Sequence, residues 1–298
     1  MDDKLCFVQF IHPGGEHEPD DGLHKGWNTS VHKRKFLKRA GRYVADGTIV
    51  EGVVLLWGEW EPESKAQRID DPIPHGPRFI YEPYYVVPKS YNGLQNTDPF
   101  VFGQPFHYTG CQQRTTKGAT QLRNLSKGSV ILFGSCEDKN AFVLDTAFVV
   151  DHWIDHSSRN YRGVLDGAIS QEYKEVTVSP WYQESFAESK SCASAGSTET
   201  WRLYFGVLYD KPLHGMYSFF PCQPYDAKSK GFARPRISLP GVITDNLNQG
   251  KKLAEPQSLD EMKQLWGEVT KQVKKQGLAL GVHAEMPERR PSDKRSPA

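Results

Sequence analysis

The segment 92–136 contains the residue types best suited to chemistry on a bound molecule. Its only acidic residue is Asp98, because no Asp or Glu occurs from Pro99 to Cys136. Aromatic, amide and cationic side chains follow it closely. Aromatic faces stack on any nucleobase for about 1–3 kcal/mol per base, amides read base edges, and cations hold phosphates. The pattern predicts a pocket for a flat, polar-edged ring beside one carboxylate.

A second carboxylate, Glu59, lies between two tryptophans in the run 57–60. Two carboxylates on either side of a glycosidic bond form the usual arrangement for its hydrolysis. We therefore predict Asp98, Glu59 and Asn96 as catalytic residues. The alternative is that Asp98 belongs to an ordinary tight turn, since Asn, Thr, Asp and Pro are typical turn residues.

Two further sets of residues would complete such a site. Rings and amides from three loops would hold the base, and cations would hold the flanking phosphates. The predicted base-binding residues are Trp27, Asn28, Trp57, Phe100, Phe102, Tyr108, Gln112 and Gln113. The predicted phosphate-binding residues are Lys33, Arg34, Lys35, Arg78 and Arg114.

The segment 22–45 is strongly basic, with seven Lys or Arg residues and no acid. We expect a helix from about Ser30 to Ala40, preceded by possible capping residues and ended near Gly41. In that helix Lys35, Lys38 and Arg39 would share one side and could lie against phosphates. A solvated basic face is the alternative.

The sequence predicts neither a metal nor a cofactor. His12, His17 and His24 lie in a Gly- and Pro-rich stretch, but their spacing matches no established ligand pattern. The chain contains no P-loop, no dinucleotide-binding glycine motif and no nucleophile elbow. Nucleotide hydrolysis, hydride transfer and serine hydrolase chemistry are therefore disfavoured.

The composition is typical of a β-rich α+β protein with many loops. Of 298 residues, 38% are hydrophobic and 12% aromatic, with 26 Gly and 20 Pro. A C-terminal helix is predicted from about Ser258 to Gln276, because Ser258 and Glu261 form a capping box ahead of apolar residues at helical spacing. The predicted strands are 4–11, 48–57, 78–87, 129–134, 141–150, 201–209 and 216–220.

We expect one elaborated domain over residues 1–283, with a barrel-like core at about 48–220. Residues 284–298 are rich in proline and charge, which predicts a disordered tail. The small polar stretch 188–200 is a predicted connector. The strands do not alternate with helices, which argues against a doubly wound fold.

The five cysteines lie far apart and form no CxxC pair. Their odd number and the lack of an apolar leader predict a soluble protein of the reducing cytoplasm. No apolar run approaches the roughly 18 residues of a membrane span, so no membrane association is expected. The oligomeric state is left open.

The runs 128–134 (GSVILFG) and 142–150 (FVLDTAFVV) have the pattern of two strands joined by a short turn. This pair resembles the central hairpin of PUA-like barrels, the group that contains the EVE, ASCH and YTH modules. The resemblance covers fewer than 30 residues and implies a PUA-like barrel core with long functional loops. It also implies a pocket for an extruded or modified base near the barrel mouth.

The run 95–100 (QNTDPF) resembles the water-activating loop of uracil-type DNA glycosylases, in which a polar residue, Asp, Pro and an aromatic ring occur in succession. The resemblance implies that Asp98 polarises water or stabilises positive charge on the sugar, while Phe100 stacks on the extruded base. The apolar strand that precedes this loop in the family is displaced here, and its His-Pro-Ser-type second loop is absent.

Three hypotheses follow for the function. The first, which we favour, is a DNA glycosylase that extrudes and excises a modified nucleobase, in a setting such as phage defence. The second is a non-catalytic PUA-like reader of modified bases in DNA or RNA. The third is a protein-interaction module whose aromatic loops are buried in a partner.

Overall fold

A computed structural model describes residues 2–12, 14–136, 141–184, 199–243 and 250–291. The chain forms an α+β structure made mostly of sheet, as the sequence predicts. The helical segments of the described residues are a 3-10 turn at Gln121–Arg123, α1 (Tyr161–Val164), α2 (Gln171–Tyr173), a π-helical turn at Lys174–Val178, α3 (Ser179–Trp181) and α4 (Leu259–Lys275).

Two large sheets and one small hairpin make up the β structure. The first sheet contains β1 (Phe7–Ile11), β7 (His107–Tyr108), β10 (Val130–Cys136), β11 (Phe142–His156), β12 (Trp201–Gly206) and β14 (Gly250–Ala254). The second contains β2 (His24–Lys25), β3 (Lys35–Ala45), β4 (Thr48–Gly58), β5 (Ser64–Arg68), β6 (Phe79–Tyr85), β13 (Phe220–Pro224), β15 (Ala279–Ala284) and β16 (Glu288–Arg289). The small hairpin pairs β8 (Arg114–Thr115) with β9 (Gly118–Ala119).

The strand order of the first sheet is β14-β1-β10-β11-β12-β7. Strands β10 and β11 form the predicted antiparallel hairpin, and β1 runs parallel to β10. In the second sheet, β3, β4, β13 and β15 each pair with the next, and β15 also pairs with β3. These four strands therefore close into a ring, which differs from the predicted barrel over 48–220.

The predicted helix at 30–40 is wrong, because the chain forms the long strand β3 there. All eleven residues of β3 pair with β4, from Lys35 opposite Gly58 to Ala45 opposite Thr48. Asp46 and Gly47 connect the strands with φ of 49° and 79°, the positive values that a two-residue hairpin turn requires. The Asp-Gly turn is the local signal that identifies this hairpin.

Helix α4 has the predicted position and the predicted cap. The Ser258 side chain accepts a hydrogen bond from the Glu261 N–H at 3.2 Å, and a carboxylate oxygen of Glu261 accepts one from the Gln257 N–H. The apolar face of the helix is buried through Met262, Trp266, Val269 and Val273. The helix therefore packs on the body of the protein.

We expect Ser258→Ala to lower the free energy of unfolding by about 1 kcal/mol, the usual cost of losing a helix N-cap. The cause is the unsatisfied N–H of Glu261. Urea unfolding monitored by circular dichroism measures this cost, with the exposed Thr116 replaced by Ala as the control. A loss no larger than that of the control would contradict the cap.

The tail prediction is wrong for the part of the tail that the structure describes. Strand β16 pairs with β6, and the Arg290 N–H donates to the Tyr85 carbonyl at 2.8 Å. The Arg290 guanidinium lies 3.8 Å from the centre of the Tyr84 ring. Residues 292–298 and most of the predicted connector at 188–200 lie outside the described residues.

Among the described residues, no helix combines the length and the apolar character that a membrane span requires.

Candidate functional site

A cluster of buried ionisable side chains lies where the ends of β1 and β4 meet two loops. His12 directly follows β1, Glu59 and Glu61 directly follow β4, and His32 precedes β3. The loop between β6 and β7 contributes Asp98, and Cys111 follows β7. Strand β1 belongs to the first sheet and β4 to the second, so the cluster lies where the two sheets meet. We refer to His12, His32, Glu59, Glu61, Asp98 and Cys111 as the acid–base cluster.

Glu59 is at the centre of the cluster, and its two carboxylate oxygens face different groups. Oε1 accepts hydrogen bonds from His12 Nδ1 at 2.7 Å and from the Arg34 guanidinium at 2.8 Å. Oε2 lies 3.4 Å from the Asp98 N–H and 3.6 Å from His32 Nδ1. Burial opposes ionisation of Glu59, but Arg34 and the two histidines outweigh it and hold its pKa below the usual value.

The pKa of Asp98 is shifted in the opposite direction to that of Glu59. Its side chain accepts hydrogen bonds from the Thr109 N–H at 3.0 Å and the Cys111 N–H at 3.5 Å. Burial raises the pKa of Asp98 well above its usual value, and the nearby charge of Glu59 raises it further. The environment therefore favours retention of a proton by Asp98 and ionisation of Glu59.

Glu61 is paired with two histidines. His32 Nδ1 lies 2.9 Å from Glu61 Oε1, and His17 Nε2 lies 3.6 Å from Oε2. Burial opposes ionisation of Glu61, but the two histidines outweigh it and lower its pKa to about 2. Burial also opposes protonation of His32, but Glu59 and Glu61 raise the pKa of His32 to about 9.

This raised pKa makes the contribution of His32 to stability dependent on pH. Because the pKa of His32 rises from 6.5 to about 9 on folding, its contribution is complete below pH 6.5 and is lost as the pH rises through about 9. We expect His32→Gln to be less stable than the wild type at low pH, with the difference shrinking over that range. Urea unfolding at several pH values measures it.

The control for this prediction is His24→Gln, because His24 pairs with Asp20 on the surface at 3.5 Å. A surface pair contributes only about 0–1 kcal/mol. A difference for His32→Gln that stays constant with pH would show that His32 is not ionised by its two carboxylates.

Arg34 connects the acid–base cluster to the first sheet. Its side chain is fully buried and binds Glu59 through one nitrogen and Asp145 of β11 through another at 2.6 Å. The Arg234 guanidinium lies 3.7 Å from the second oxygen of Asp145. Two cations thus balance the buried carboxylates on this side of the cluster.

One trio in the cluster has atoms arranged closely enough to hold a metal ion. The ligand atoms of His32, Glu59 and Glu61 lie within 4.8 Å of one another. Imidazole nitrogen with carboxylate oxygen suits zinc, manganese or iron. Arg34 and His12 already bind Glu59 Oε1, so a cation would compete with them for this carboxylate.

The structure brings together two of the three predicted catalytic residues, Asp98 and Glu59. Asn96 is buried two residues before Asp98. The peptide bond between Asp98 and Pro99 is cis. The pairing arises because the loop after β6 returns to the end of β4, where the Glu61 N–H donates to Thr97 Oγ1 at 3.1 Å.

Most of the predicted base-binding residues are structural. Phe100, Phe102 and Tyr108 are fully buried in the core, and Trp57 packs against Phe36 on another part of the sheet. A buried ring has no free face, so stacking of these four on a base is ruled out in this conformation.

The remaining base-binding candidates are divided between the interior and the surface. Asn28 and Gln113 are buried and bonded to backbone groups, Asn28 to the Ser30 carbonyl and Gln113 to the Arg202 carbonyl. Trp27 is partly buried and donates to the Gln95 carbonyl, while Gln112 is exposed next to Cys111.

The predicted phosphate-binding residues do not form a common surface. Arg34 and Lys35 are buried, and Lys35 donates to the Pro62 carbonyl and to Ser64 Oγ, so these two predictions are wrong. Burial lowers the pKa of Lys35 to about 7. The other three cations, Lys33, Arg78 and Arg114, keep some exposure, although Arg78 pairs with Glu16 and Glu18 and Arg114 with Glu199.

Four functional candidates were missed by sequence reasoning: His12, His32, Glu61 and Cys111. The available signal was that Glu59 and Glu61 follow directly after a strand, while two histidines border strands in the same half of the chain. Residues at strand ends and in the adjoining loops often form sites.

The chain matches no known protein family, and no curated protein and no solved structure is significantly similar to it.

Proposed function

We propose that the protein is a hydrolase that cleaves the N-glycosidic bond of a nucleobase. The observation that carries the proposal is the meeting of Asp98 and Glu59 in one buried cluster, with the pKa of Asp98 raised and that of Glu59 lowered. Pairs of carboxyl groups held in opposite protonation states are typical of acid–base catalysis. In this reaction the two groups have separate tasks.

Asp98 would act as the general acid. Its protonated carboxyl group donates a proton to the leaving base, which otherwise departs as an unstable anion. Glu59, held ionised by Arg34, would stabilise the positive charge that develops on the sugar and activate the attacking water. The substrate would approach at His32 and Cys111, where the cluster reaches the surface.

We further propose that the substrate is a modified base in DNA and that the protein acts in phage defence. The segment 95–100 supports it by its resemblance to the glycosylase loop. The antiparallel pairing of β10 with β11 supports a relationship to PUA-like barrels, although this hairpin lies in the first sheet and the ring of β3, β4, β13 and β15 belongs to the second. The aromatic residues of the core no longer support base stacking, so the proposal rests on the carboxylate pair.

The test is base release from defined substrates. The purified protein is incubated with oligonucleotides that contain plain or modified bases and with free nucleosides, with and without EDTA. Released base is measured by mass spectrometry, and abasic sites are measured by alkaline cleavage. Release supports the proposal, and its loss in EDTA would show that the reaction needs a metal, for which the trio His32, Glu59 and Glu61 is the candidate site.

Two outcomes would overturn the proposal. Binding to modified DNA without release of the base would favour a non-catalytic reader. If the protein neither releases a base nor binds nucleic acid in a salt-dependent way, a protein-interaction module would be favoured. Measuring the affinity at two salt concentrations separates these outcomes, because phosphate contacts make affinity fall steeply with salt.

A further inference from the structure

Cys111, His12 and Glu59 form a continuous chain of hydrogen bonds. Cys111 Sγ lies 3.0 Å from His12 Nε2, and His12 Nδ1 lies 2.7 Å from Glu59 Oε1. The three residues come from separate parts of the chain, after β7, β1 and β4 respectively. A thiol, an imidazole and a carboxylate in this order have the geometry of a nucleophile, a base and the group that orients the base.

The partners of His12 determine where its proton lies. An ionised carboxylate only accepts hydrogen bonds, so Nδ1 must carry hydrogen toward Glu59. In the neutral ring Nε2 is then an acceptor, and it faces the Cys111 thiol. In this neutral tautomer the thiol donates its hydrogen to Nε2, the nitrogen that would remove it.

We propose that Cys111, His12 and Glu59 form a nucleophilic triad that forms a thioester with the acyl group of an ester or amide substrate. Sulfur is the nucleophile that enzymes use with an adjacent histidine in acyl transfer, whereas glycosidic bonds are usually attacked by carboxylates. The triad therefore represents an activity beyond the proposed glycosidic cleavage.

The position of Cys111 is well defined and partly accessible. It lies in a turn between Gly110 and Gln112, which have φ of 75° and 59°. The Tyr108 hydroxyl donates to the Cys111 carbonyl, and a Cβ added at Gly110 would lie 3.0 Å from the Trp181 ring. The thiol is therefore held at His12, in a residue that is partly exposed.

The charges around Cys111 decide when its proton leaves. Burial raises the pKa of the Cys111 thiol well above its usual value, and the charge of Glu59 raises it further. The resting protein thus holds a thiol rather than a thiolate. Proton transfer to His12 must accompany attack, which makes the base essential for reactivity.

The reaction is balanced without any added oxidant or reductant. The S–H proton moves to His12 Nε2 as sulfur bonds to the carbonyl carbon. The bond to the leaving oxygen or nitrogen then breaks, and the leaving group takes the proton from His12. A water molecule gives one proton to His12, attacks the thioester and releases a carboxylic acid, and the Cys111 sulfur regains its proton.

Glu59 belongs to both proposed reactions through different oxygens. Oε1 orients His12, while Oε2 faces the Asp98 N–H. In the triad Glu59 is a positioning residue, because it acts on the substrate only through His12. The hydrogen bond between Glu59 and His12 can be detected by proton NMR, because a strongly hydrogen-bonded proton on His12 Nδ1 resonates far downfield.

The experiment is acylation by p-nitrophenyl acetate in the absence of nucleic acid, so its outcome does not depend on the glycosidase proposal. Peptide mapping locates the acetyl group, and Cys6 and Cys222, both fully buried, serve as internal comparators. We expect acetylation at Cys111 that is lost in Cys111→Ala and at least about 10-fold slower in His12→Ala. Added imidazole should restore the rate in His12→Ala, and His24→Ala is the matched control.

The downfield proton should be present in the wild type and absent from both His12→Ala and Glu59→Gln. Acetylation at another residue, no acetylation of the wild type, or an unchanged rate in folded His12→Ala would overturn the triad. If His12→Ala does not fold, the acylation site and the downfield proton of the wild type still test the triad. Acylation of Cys111 without base release would support the triad and refute the glycosidase. Base release without acylation of Cys111 would support the glycosidase and refute the triad.

Discussion

Replacing Asp98 by Asn lowers the rate of base release by about 10²–10⁴-fold, the range that a general acid contributes. Asparagine has nearly the same shape, but it has no acidic proton to give to the leaving base. Its side-chain oxygen can still accept the 3.0 Å hydrogen bond from the Thr109 N–H, while the longer bond from the Cys111 N–H to the second oxygen of Asp98 is lost. We therefore expect the variant to fold with a modestly lower thermal midpoint.

The measurement is single-turnover release of the base, with the thermal midpoint and the affinity for the substrate measured alongside. Glu59→Gln should give a comparable loss of rate. The control is Asp151→Asn, because Asp151 forms a surface pair with Lys127. An unaltered rate in Asp98→Asn would end the assignment of Asp98 as the acid.

Replacing Arg34 by Met lowers the free energy of unfolding by about 3–5 kcal/mol, the cost of breaking a buried ion pair from one side. Arg34 is fully buried and binds both Glu59 and Asp145. Methionine fills similar space but leaves both carboxylates without their cation. We also expect the pKa of Glu59 to rise, since Arg34 is the main group that lowers it.

Arg78→Met is the matched control for this variant. Arg78 is also bound by two carboxylates, Glu16 and Glu18, but its side chain is 50% exposed. Surface pairs contribute about 0–1 kcal/mol, so the loss should be several-fold smaller. Urea unfolding of both variants makes the comparison, and equal losses would show that burial of Arg34 adds nothing.

Local signals in the sequence were enough for several elements. The capping box at Ser258 and the apolar spacing behind it predicted α4, because a helix is stabilised by residues three and four positions apart. Apolar runs bounded by Gly and Pro predicted β4 and β10 in nearly their final extents, and β11 as far as Val150, although that strand continues to His156. The isolation of Asp98 and the position of Glu59 at a strand end selected the carboxylates that meet in the cluster.

Other features depend on contacts between distant parts of the chain. The basic residues of 33–42 are compatible with a helix or a strand. They form a strand because β3 pairs with β4 along its whole length. The sequence predicts Phe100 and Phe102 as aromatic rings that line a pocket. In the structure both side chains are packed in the core, and neither ring is exposed. Sequence alone does not show which aromatic residues a fold encloses, since burial depends on both layers of the structure.

By itself, the sequence determined that the protein is an α+β fold rich in strands and where its C-terminal helix lies, and it selected Asp98 and Glu59 as candidate catalytic carboxylates. Only the tertiary structure decided that His12 bridges Cys111 and Glu59, that Arg34 is a buried partner rather than a phosphate ligand, and that the pKa values of Asp98 and Glu59 are shifted in opposite directions. The physical reason is that local structure follows from neighbouring residues. Hydrogen-bond partners and pKa values follow from burial and charges that distant segments bring together.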